Sequence, residues 1–408
     1  MPVTGKTFVK LKNQHNTGKT LCPAGERLFI KMNTNKCILC GCKSLTDIPF
    51  SGELTGVTSD CKPWPYFGHY VWCEACGHVQ KLLTGGLLDD IEAIYSNYEI
   101  YSLSNGNEQL IFHQTTNKTR SHELLTQLKA DIEIPQEGRV LDVGCGNGAL
   151  LKTFGTMYPG WSLFGFEQSN LQAKEIPDVK EVYSGSIDTI EGTYDIVTMI
   201  HVLEHIFDPV SFLRKLHAVM NPEGILFIQC PFFKRNPFDL TVVDHCSHFS
   251  PDTLAYALNA AGFKILLQRD WIAKELSMVA VKAHNNSAAT ALKHINDSAS
   301  AVESFSWLHR VVQHAREVSR NGTLGIFGTA IAGTWLANTI RAQVRFFAEE
   351  DPLKQGKEHM GLPVFHPDSI PWKDALVYLA FPAKTAGEIH KRLVISYPPV
   401  KFIVPPES

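Results

Sequence analysis

Four cysteines near the start of the chain have the spacing of a metal site. They form two C-x2-C pairs, Cys37 with Cys40 and Cys73 with Cys76. Four thiolates on two tight turns would bind Zn²⁺ tetrahedrally, and such a closed ligand set is typical of structural rather than catalytic zinc. Because the linker between the pairs is long, three nearby residues are possible substitutes for one ligand. These are Cys42, Cys61 and His78. The alternative is a group of reduced, partly buried cysteines without a metal.

A glycine-rich segment in the middle of the chain has the features of a cofactor loop. An apolar run that contains Asp142 leads directly into Gly144, Gly146 and Gly148. Glycines allow the backbone to turn sharply and let a ligand approach where a Cβ atom would clash. About twenty residues later a second apolar run ends at Glu167, whose carboxylate could accept hydrogen bonds from two ribose hydroxyls.

The order D-x-G-x-G-x-G followed by an acid resembles the S-adenosylmethionine loop of class I methyltransferases. In that family the glycines hold the methionine half of the cofactor and the acid holds its ribose. The cofactor-binding residues that the resemblance implies are Asp142, Gly144, Gly146, Gly148, Glu167, Gln168, Ser186, Ile187, Ile200 and His201. Taken singly, His201 and the neighbouring His205 could equally be ordinary histidines at the end of a strand.

The segment Phe238–Phe249 reads FDLTVVDHCSHF and contains the adjacent pair Asp244 and His245. A neutral imidazole can accept a proton near neutral pH. Asp244 could orient or polarise the site. Adjacent residues on an extended segment point in opposite directions, so we do not expect a direct pair between Asp244 and His245. The alternative is a loop hydrogen-bond pair with no catalytic part.

The whole arrangement resembles the deoxysugar C-methyltransferases, which act on nucleotide-linked ketosugars. The resemblance rests on the cysteine pairs ending in WCEACGHVQ, the glycine loop, the tyrosine-rich stretch IYSNYEIYSLS and the C-terminal GIFGTAIAGTWLAN. That family has an N-terminal zinc-binding domain, a central methyltransferase domain and a C-terminal Rossmann-like domain that helps to hold the nucleotide-sugar. The implied cofactors are S-adenosylmethionine and structural Zn²⁺, and the implied partner is a small-molecule substrate, a nucleotide-sugar.

The family's catalytic segment runs F-D-x-x-Y-x-E-H-x-x-Y-F, and this chain departs from it at three positions. Val242 and His248 stand where the family has tyrosines, and Asp244 is shorter than the family's glutamate. The resemblance implies that His245 removes a proton beside a ketone and that the enolate carbon attacks the methyl group. An enolate oxygen needs a hydrogen-bond donor. The candidates for that donor are His248, Tyr98 and Tyr101.

A second reaction remains open because Val242 cannot donate a hydrogen bond from its side chain. The chain could instead be an O- or N-methyltransferase that acts on a sugar or another small metabolite. In that reaction His245 would deprotonate a hydroxyl or an amine, and no donor for an enolate would be needed.

The elements that must position these residues follow an α/β pattern. Between residues 138 and 282 apolar strands alternate with amphipathic helices, which predicts a mainly parallel sheet covered on both faces. We expect a class I methyltransferase Rossmann-like doubly wound sheet, with a small N-terminal zinc-ribbon-like domain and a C-terminal Rossmann-like α/β domain. The predicted parts are a basic N-terminal extension (1–36), a zinc-binding domain (37–85), a methyltransferase domain (86–284), a helical connector (285–320) and the C-terminal domain (321–408).

Composition sets outer limits on the function. The 408 residues carry 38 basic and 41 acidic side chains, so no chain-wide field attracts nucleic acid or an anionic membrane. Seven of the ten cysteines lie in the first 76 residues, which favours a local metal site over a secreted disulfide scaffold. There is neither a secretory signal pattern nor an apolar run as long as a membrane span. We therefore expect a cytoplasmic monomer or homodimer without nucleic-acid or membrane partners. A zinc-ribbon binding protein with a vestigial methyltransferase fold is the non-enzymatic alternative.

Overall fold

The computed structural model describes residues 35–50, 54–99, 102–112, 117–168, 176–283 and 297–407. The chain divides into two units, Met1–Asn33 and Thr34–Ser408, and the first of them lies outside the described residues. Tyr101, a predicted donor to the substrate, also lies outside them. Within the part of the chain that is described, no helix is both long and apolar enough to cross a membrane.

The strands and helices follow the predicted alternation. The strands are β1 Leu45–Asp47, β2 Gly56–Val57, β3 Pro63–Trp64, β4 Tyr70–Cys73, β5 Val79–Lys81, β6 Leu110–Phe112, β7 Asn117–Thr119, β8 Glu137–Val143, β9 Gly160–Glu167, β10 Val179–Ser184, β11 Tyr194–Ile200, β12 Met220–Pro231, β13 Ser247–His248, β14 Phe263–Arg269, β15 Glu275–Lys282, β16 Thr323–Phe327, β17 Val344–Ala348, β18 Glu358–His359, β19 Leu362–Phe365, β20 Ala375–Leu379 and β21 Lys401–Ile403. The α-helices are α1 Gly85–Ser96, α2 Arg120–Asp131, α3 Ala149–Met157, α4 Pro209–Ala218, α5 Pro251–Ala260, α6 Ser298–Val318, α7 Ile331–Thr339 and α8 Ala383–Ser396.

Seven strands form the central sheet in the order β10-β9-β8-β11-β12-β15-β14. The pairs from β10 to β12 are parallel, and β15 runs antiparallel to both of its neighbours. The innermost strands are buried and apolar, as parallel strands covered on both faces must be. The predicted class I methyltransferase Rossmann-like sheet is therefore confirmed. Strands β8, β9 and β11 end at the same edge of this sheet, where ligands of open α/β folds bind.

A second sheet joins the cysteine-rich segment to the predicted catalytic segment. Its order is β1-β4-β5-β13, and β13 pairs antiparallel with β5 so that Ser247 lies opposite Gln80 and His248 lies opposite Val79. Upstream of β13, the Cys246 carbonyl accepts a hydrogen bond from the Lys81 amide at 3.0 Å. Backbone hydrogen bonds thus join segments on either side of the predicted boundary at residue 85.

The C-terminal part is built on a six-stranded sheet in the order β18-β19-β17-β16-β20-β21. Its pairs are parallel except β18 with β19, which matches the Rossmann-like pattern of the sequence. Helix α7 contacts the N-terminal segment directly. The Trp335 Nε1–H donates to the Thr55 carbonyl at 2.9 Å, and the Asn338 side chain donates to the carbonyls of Gly56 and Trp64 at 3.1 and 2.8 Å. The C-terminal sheet is therefore anchored to the cysteine-rich segment.

The start of the catalytic segment lies in the apolar core between these parts. The Phe238 ring meets Trp307 of α6 at 5.4 Å and Trp335 of α7 at 5.5 Å between centroids, with the rings close to perpendicular. All three side chains are almost completely buried. Edge-to-face aromatic packing of this kind adds to the stabilisation from burial alone.

The region from residue 86 to 125 contains two helices separated by a pair of short strands. Helix α1 ends at Ser96, and the hairpin of β6 and β7 separates it from α2. Asn105 and Gly106 lie between α1 and the hairpin with φ angles of 53° and 81°. Asn and Gly are the residues that adopt this left-handed conformation at low cost, and it ends helical structure.

We predict that Trp335→Ala lowers the free energy of unfolding by about 3–5 kcal/mol, because it empties a large buried site and leaves the Thr55 carbonyl unpaired. Urea denaturation followed by circular dichroism measures this change. Trp372→Ala is the matched control, since Trp372 is 37% exposed, and it should cost less than half as much. Equal losses in the two variants would contradict this role of Trp335.

Candidate active site

The loop after β8 is shaped by its glycines. Gly144, Gly146 and Gly148 have φ angles of 74°, 51° and 79°, which side chains with a Cβ atom rarely adopt. A Cβ atom on Gly144 would lie 2.3 Å from Cγ2 of Val202, and one on Gly148 would lie 2.4 Å from Cγ2 of Ile176. The loop therefore needs glycine for both its conformation and its close packing, as the sequence predicts.

Glu167 ends strand β9 beside this loop. Its Oε2 accepts a hydrogen bond from the Gly146 amide at 3.1 Å, and its side chain is half-buried. The exposed Gln168 follows it directly. The positive-φ loop and the adjoining acid make the backbone cradle and the carboxylate acceptor that an adenosyl cofactor requires, so these residues fit S-adenosylmethionine.

Other predicted cofactor residues take different positions. Asp142 is buried within β8, where its Oδ1 accepts from the Thr198 Oγ1–H at 2.7 Å. Burial raises the pKa of Asp142 to about 7, against an ordinary value of 3.8. Ser186 caps the short 3-10 turn that follows β10, and Ile187 packs into the central core. Of these three residues, only Ser186 is half-exposed at the edge of the sheet.

His201 follows Ile200, the last residue of β11, in a left-handed conformation with φ of 55°. Its Nδ1 lies 3.1 Å from Glu204 Oε1 and its Nε2 lies 3.2 Å from Glu275 Oε1. Glu275 is also paired with Arg120 at 2.5 Å. Burial and Arg120 oppose the charged form of His201, but the two carboxylates outweigh them and raise the pKa of His201.

The catalytic segment is organised around a residue that the sequence analysis did not single out. Asp239 binds Nδ1 of His245 through Oδ1 and Nδ1 of His248 through Oδ2, both at 2.6 Å. All three side chains are buried. Burial opposes ionisation of Asp239, but the two imidazoles hold the pKa of Asp239 well below its usual range. The signal available in the sequence was its place in the F-D pair that opens the segment.

The ionised Asp239 fixes the tautomer of both histidines. A carboxylate only accepts hydrogen bonds, so each Nδ1 must donate a proton to it. Nε2 of His245 is then left with a lone pair and can accept a proton. His248 was predicted as a possible donor to the substrate, but its side chain is completely buried. The structure therefore places His248 on the second oxygen of Asp239, away from solvent.

Asp244 turns away from His245. Its Oδ1 accepts from the Ser59 amide at 2.9 Å, its Oδ2 accepts from the Ser59 hydroxyl at 2.5 Å, and Oδ2 lies 3.4 Å from Nδ1 of His205. The Ser59 hydroxyl oxygen also lies 3.3 Å from the Tyr98 phenol oxygen. Loss of contact with water and the Asp244 carboxylate raise the pKa of Tyr98, so its phenol stays protonated and can donate.

Lys81 is a buried cation that the sequence analysis missed. Its Nζ donates to the Val242 carbonyl and, at 2.8 Å, to the Val243 carbonyl, and it lies 5.3 Å from the centre of the Tyr70 ring. Burial lowers the pKa of Lys81 to about 8. These contacts hold the backbone just before Asp244 and His245. They include Val242, which stands where the resemblance would require a tyrosine. No local sequence pattern marks this lysine as buried.

The four predicted metal-ligating cysteines lie together. Sγ of Cys37 is 3.5 Å from that of Cys76, Sγ of Cys40 is 3.6 Å from that of Cys73, and all four lie within 4.8 Å of one another. Zinc–sulfur bonds of about 2.3 Å in a tetrahedron require sulfur atoms roughly 3.8 Å apart, so the geometry fits a four-thiolate ion.

The proposed substitute ligands are not needed for this group. In the described part of the chain Cys42, Cys61 and His78 are outside the four-sulfur cluster. His78 is buried with Nε2 3.1 Å from the Ser247 hydroxyl, and Cys42 Sγ accepts from the Ser44 amide at 3.4 Å.

The central part of the chain is similar to known methyltransferases. Residues 112–268 match the family model described as a methyltransferase domain. The ubiquinone biosynthesis O-methyltransferase of Pseudomonas aeruginosa strain LESB58 is 28% identical over 110 residues, covering 24% of this chain and 46% of that protein. The protein of the same name from Vibrio campbellii is 38% identical over 101 residues, covering 22% of this chain and 42% of that protein. The chain thus spans less than half the length of these curated relatives.

Among solved structures, the SAH-bound form of CalO1, a methyltransferase in calicheamicin biosynthesis, is similar to part of this chain. It is 20% identical with a TM-score of 0.34, covering 38% of this chain and 52% of that one.

We predict that Asp142→Asn changes stability in a pH-dependent way. The folded state holds the Asp142 proton up to about pH 7 and the unfolded chain releases it near 3.8, so the wild type loses stability as pH rises through this window. Asn carries no charge, so the stability of the variant relative to the wild type should rise by about 1 kcal/mol or more between pH 4 and 7. Urea unfolding at several pH values measures it. Asp89→Asn, at an exposed position, is the control. If the difference in unfolding free energy between Asp142→Asn and the wild type does not change with pH, Asp142 does not hold a proton in the folded state.

Proposed function

We propose that this chain, whose residues 112–268 form a methyltransferase domain, is an S-adenosylmethionine-dependent methyltransferase that acts on a small molecule. The observation that carries the proposal is that the chain has both a glycine cradle after β8 and a carboxylate-held imidazole. The ring of that imidazole lies 4.7 Å from the ring of His205, five residues after the end of β11. The cradle ends in Glu167, and the imidazole is that of His245, held by Asp239. The first arrangement fits the methyl donor, and the second can remove a proton from the acceptor.

Within this class, we propose C-methylation of a nucleotide-linked deoxy-ketosugar. Support comes from the resemblance of the FDLTVVDHCSHF segment to the deoxysugar C-methyltransferases and from a base that is buried and oriented. A proton beside a ketone is weakly acidic, so its removal needs a base fixed in position and tautomer. Asp239 supplies both conditions to His245.

The chain's own residues would then act in sequence. Nε2 of His245 accepts the proton from the carbon beside the carbonyl, and Asp239 stabilises the imidazolium that forms. The protonated phenol of Tyr98 donates to the enolate oxygen, in place of the family tyrosine that Val242 replaces. S-adenosylmethionine, when bound, supplies an electrophilic methyl group. Holding two reactants in line can lower a barrier by about 7–11 kcal/mol, which is the main contribution of the protein here.

The second candidate is O-methylation of a small metabolite. The matching relatives are named O-methyltransferases, and Val242 provides no side-chain donor for an enolate. The same His245 would then take the proton of a hydroxyl.

We predict that the wild-type protein, incubated with ketosugar nucleotides in D₂O, incorporates deuterium beside the carbonyl, as mass spectrometry and NMR detect. His245→Ala should abolish this exchange, because it removes the base. Asp239→Asn should slow it by about 10²–10⁴, because the amide no longer fixes the tautomer.

The controls separate loss of the base from loss of the fold or of the cofactor site. Asp252→Asn, an exposed acid in the first turn of α5, should exchange as fast as the wild type. Calorimetric titration with S-adenosylmethionine should show binding to every variant. Methylation of a sugar hydroxyl without any deuterium exchange would favour the second candidate over the first.

We also propose that the four-sulfur cluster binds a structural Zn²⁺. We predict that elemental mass spectrometry finds zinc in the wild type and that Cys76→Ser, which removes a buried ligand, holds one zinc ion fewer per chain. Because the cysteines pack into the same apolar core as the central sheet, the melting temperature of the whole protein should fall with the metal. Cys42→Ser is the matched control and should keep the zinc. A metal-free wild type that melts like the metal-loaded one would refute the proposal.

A further inference from the structure

Three side chains near the base bring metal-binding atoms together outside the cysteine cluster. Glu204, His205 and His245 each offer one such atom, and these atoms lie within 4.8 Å of one another. Glu204 is buried, and Nδ1 of His201 lies 3.1 Å from its Oε1. The Cys230 thiol also interacts with this carboxylate. A buried carboxylate is costly unless cations or donors meet its oxygens, and a metal ion bound here would supply a further positive charge.

Both histidines of this group are held through Nδ1. His245 Nδ1 lies 2.6 Å from Asp239 Oδ1, and His205 Nδ1 lies 2.9 Å from the Asp244 carbonyl and 3.4 Å from Asp244 Oδ2. The two rings are perpendicular, with centroids 4.7 Å apart. Histidines that bind metals typically donate the second ring N–H to a carboxylate or a carbonyl, which fixes the tautomer and leaves the other nitrogen free to coordinate.

We propose that Glu204, His205 and His245 form a second metal site, which binds a divalent transition-metal ion such as Zn²⁺. Two imidazoles and one carboxylate are a ligand set that such ions accept, whereas Mg²⁺ and Ca²⁺ prefer oxygen ligands alone. Three protein ligands leave coordination positions open, unlike the closed set of four cysteines. The site is separate from the cysteine cluster and needs neither S-adenosylmethionine nor an acceptor substrate.

The proposal has a consequence for the base. The ion would occupy the nitrogen of His245 that accepts the proton, so metal and proton compete for the same lone pair. Excess Zn²⁺ is therefore expected to inhibit a reaction that uses His245 as its base.

The test uses the full chain with the cysteine cluster filled with Zn²⁺, titrated with Co²⁺. We expect one further equivalent to bind, with visible d–d absorption but without the near-ultraviolet charge-transfer band that cysteine ligation produces. Glu204→Gln and His205→Gln keep the size of the side chains and should weaken this binding at least tenfold. Asp239→Asn, which removes the carboxylate behind His245, should weaken it about 10–100-fold.

His217→Gln is the matched control, since His217 lies on α4 against Phe263, and it should bind Co²⁺ as the wild type does.

Two results would overturn the proposal. One is a wild-type protein that takes up no Co²⁺ beyond the cysteine cluster, or only Co²⁺ with a thiolate spectrum. The other is unchanged affinity in both Glu204→Gln and His205→Gln, with folding verified by circular dichroism. Because the titration contains no methyl donor and no substrate, its outcome is independent of whether the proposed methyl transfer is correct.

Discussion

The candidate active site depends on the two hydrogen bonds that the Asp239 carboxylate accepts. Its two oxygens each bind Nδ1 of a buried histidine, and the carboxylate is itself buried. A carboxylate away from water is costly unless its lone pairs are satisfied, and the imidazoles of His245 and His248 satisfy them here. The two histidines are three residues apart, so the segment that carries them has to close around the acid. One hydrogen-bonded centre therefore sets both the conformation of the segment and the protonation of its base.

That closed segment is held by all three parts of the chain. His248 lies in β13, which pairs with β5 of the cysteine-rich sheet, and Lys81 at the end of β5 binds the carbonyls of Val242 and Val243. Phe238, at the other end of the segment, packs between tryptophans of α6 and α7. The N-terminal and C-terminal parts thus both support the segment that carries His245. These two parts also contact each other, since Trp335 donates a hydrogen bond to the Thr55 carbonyl.

A second charged network lies at the end of β11. His201 adopts a left-handed conformation between Glu204 and Glu275, and Arg120 balances Glu275. A left-handed conformation is costly for any residue other than glycine and persists only where surrounding contacts hold it. Such residues cluster at functional sites. Here the two carboxylates hold the strained histidine. The network leads from the surface of α2 to the buried Glu204 beside the base.

The sequence by itself determined the features that depend on neighbouring residues. Alternation of apolar strands and helices predicted the central sheet, the D-x-G-x-G-x-G pattern predicted the loop, and the C-x2-C spacing predicted the four-sulfur cluster. Only the tertiary structure decided how the base is held. Asp239 and the histidines lie close in sequence, but their pairing exists because the segment is folded against β5, α6 and α7. Burial of Lys81, burial of His248 and the turn of Asp244 toward Ser59 have the same origin. Such contacts depend on which distant surfaces exclude water, and no local pattern of residue types contains that information.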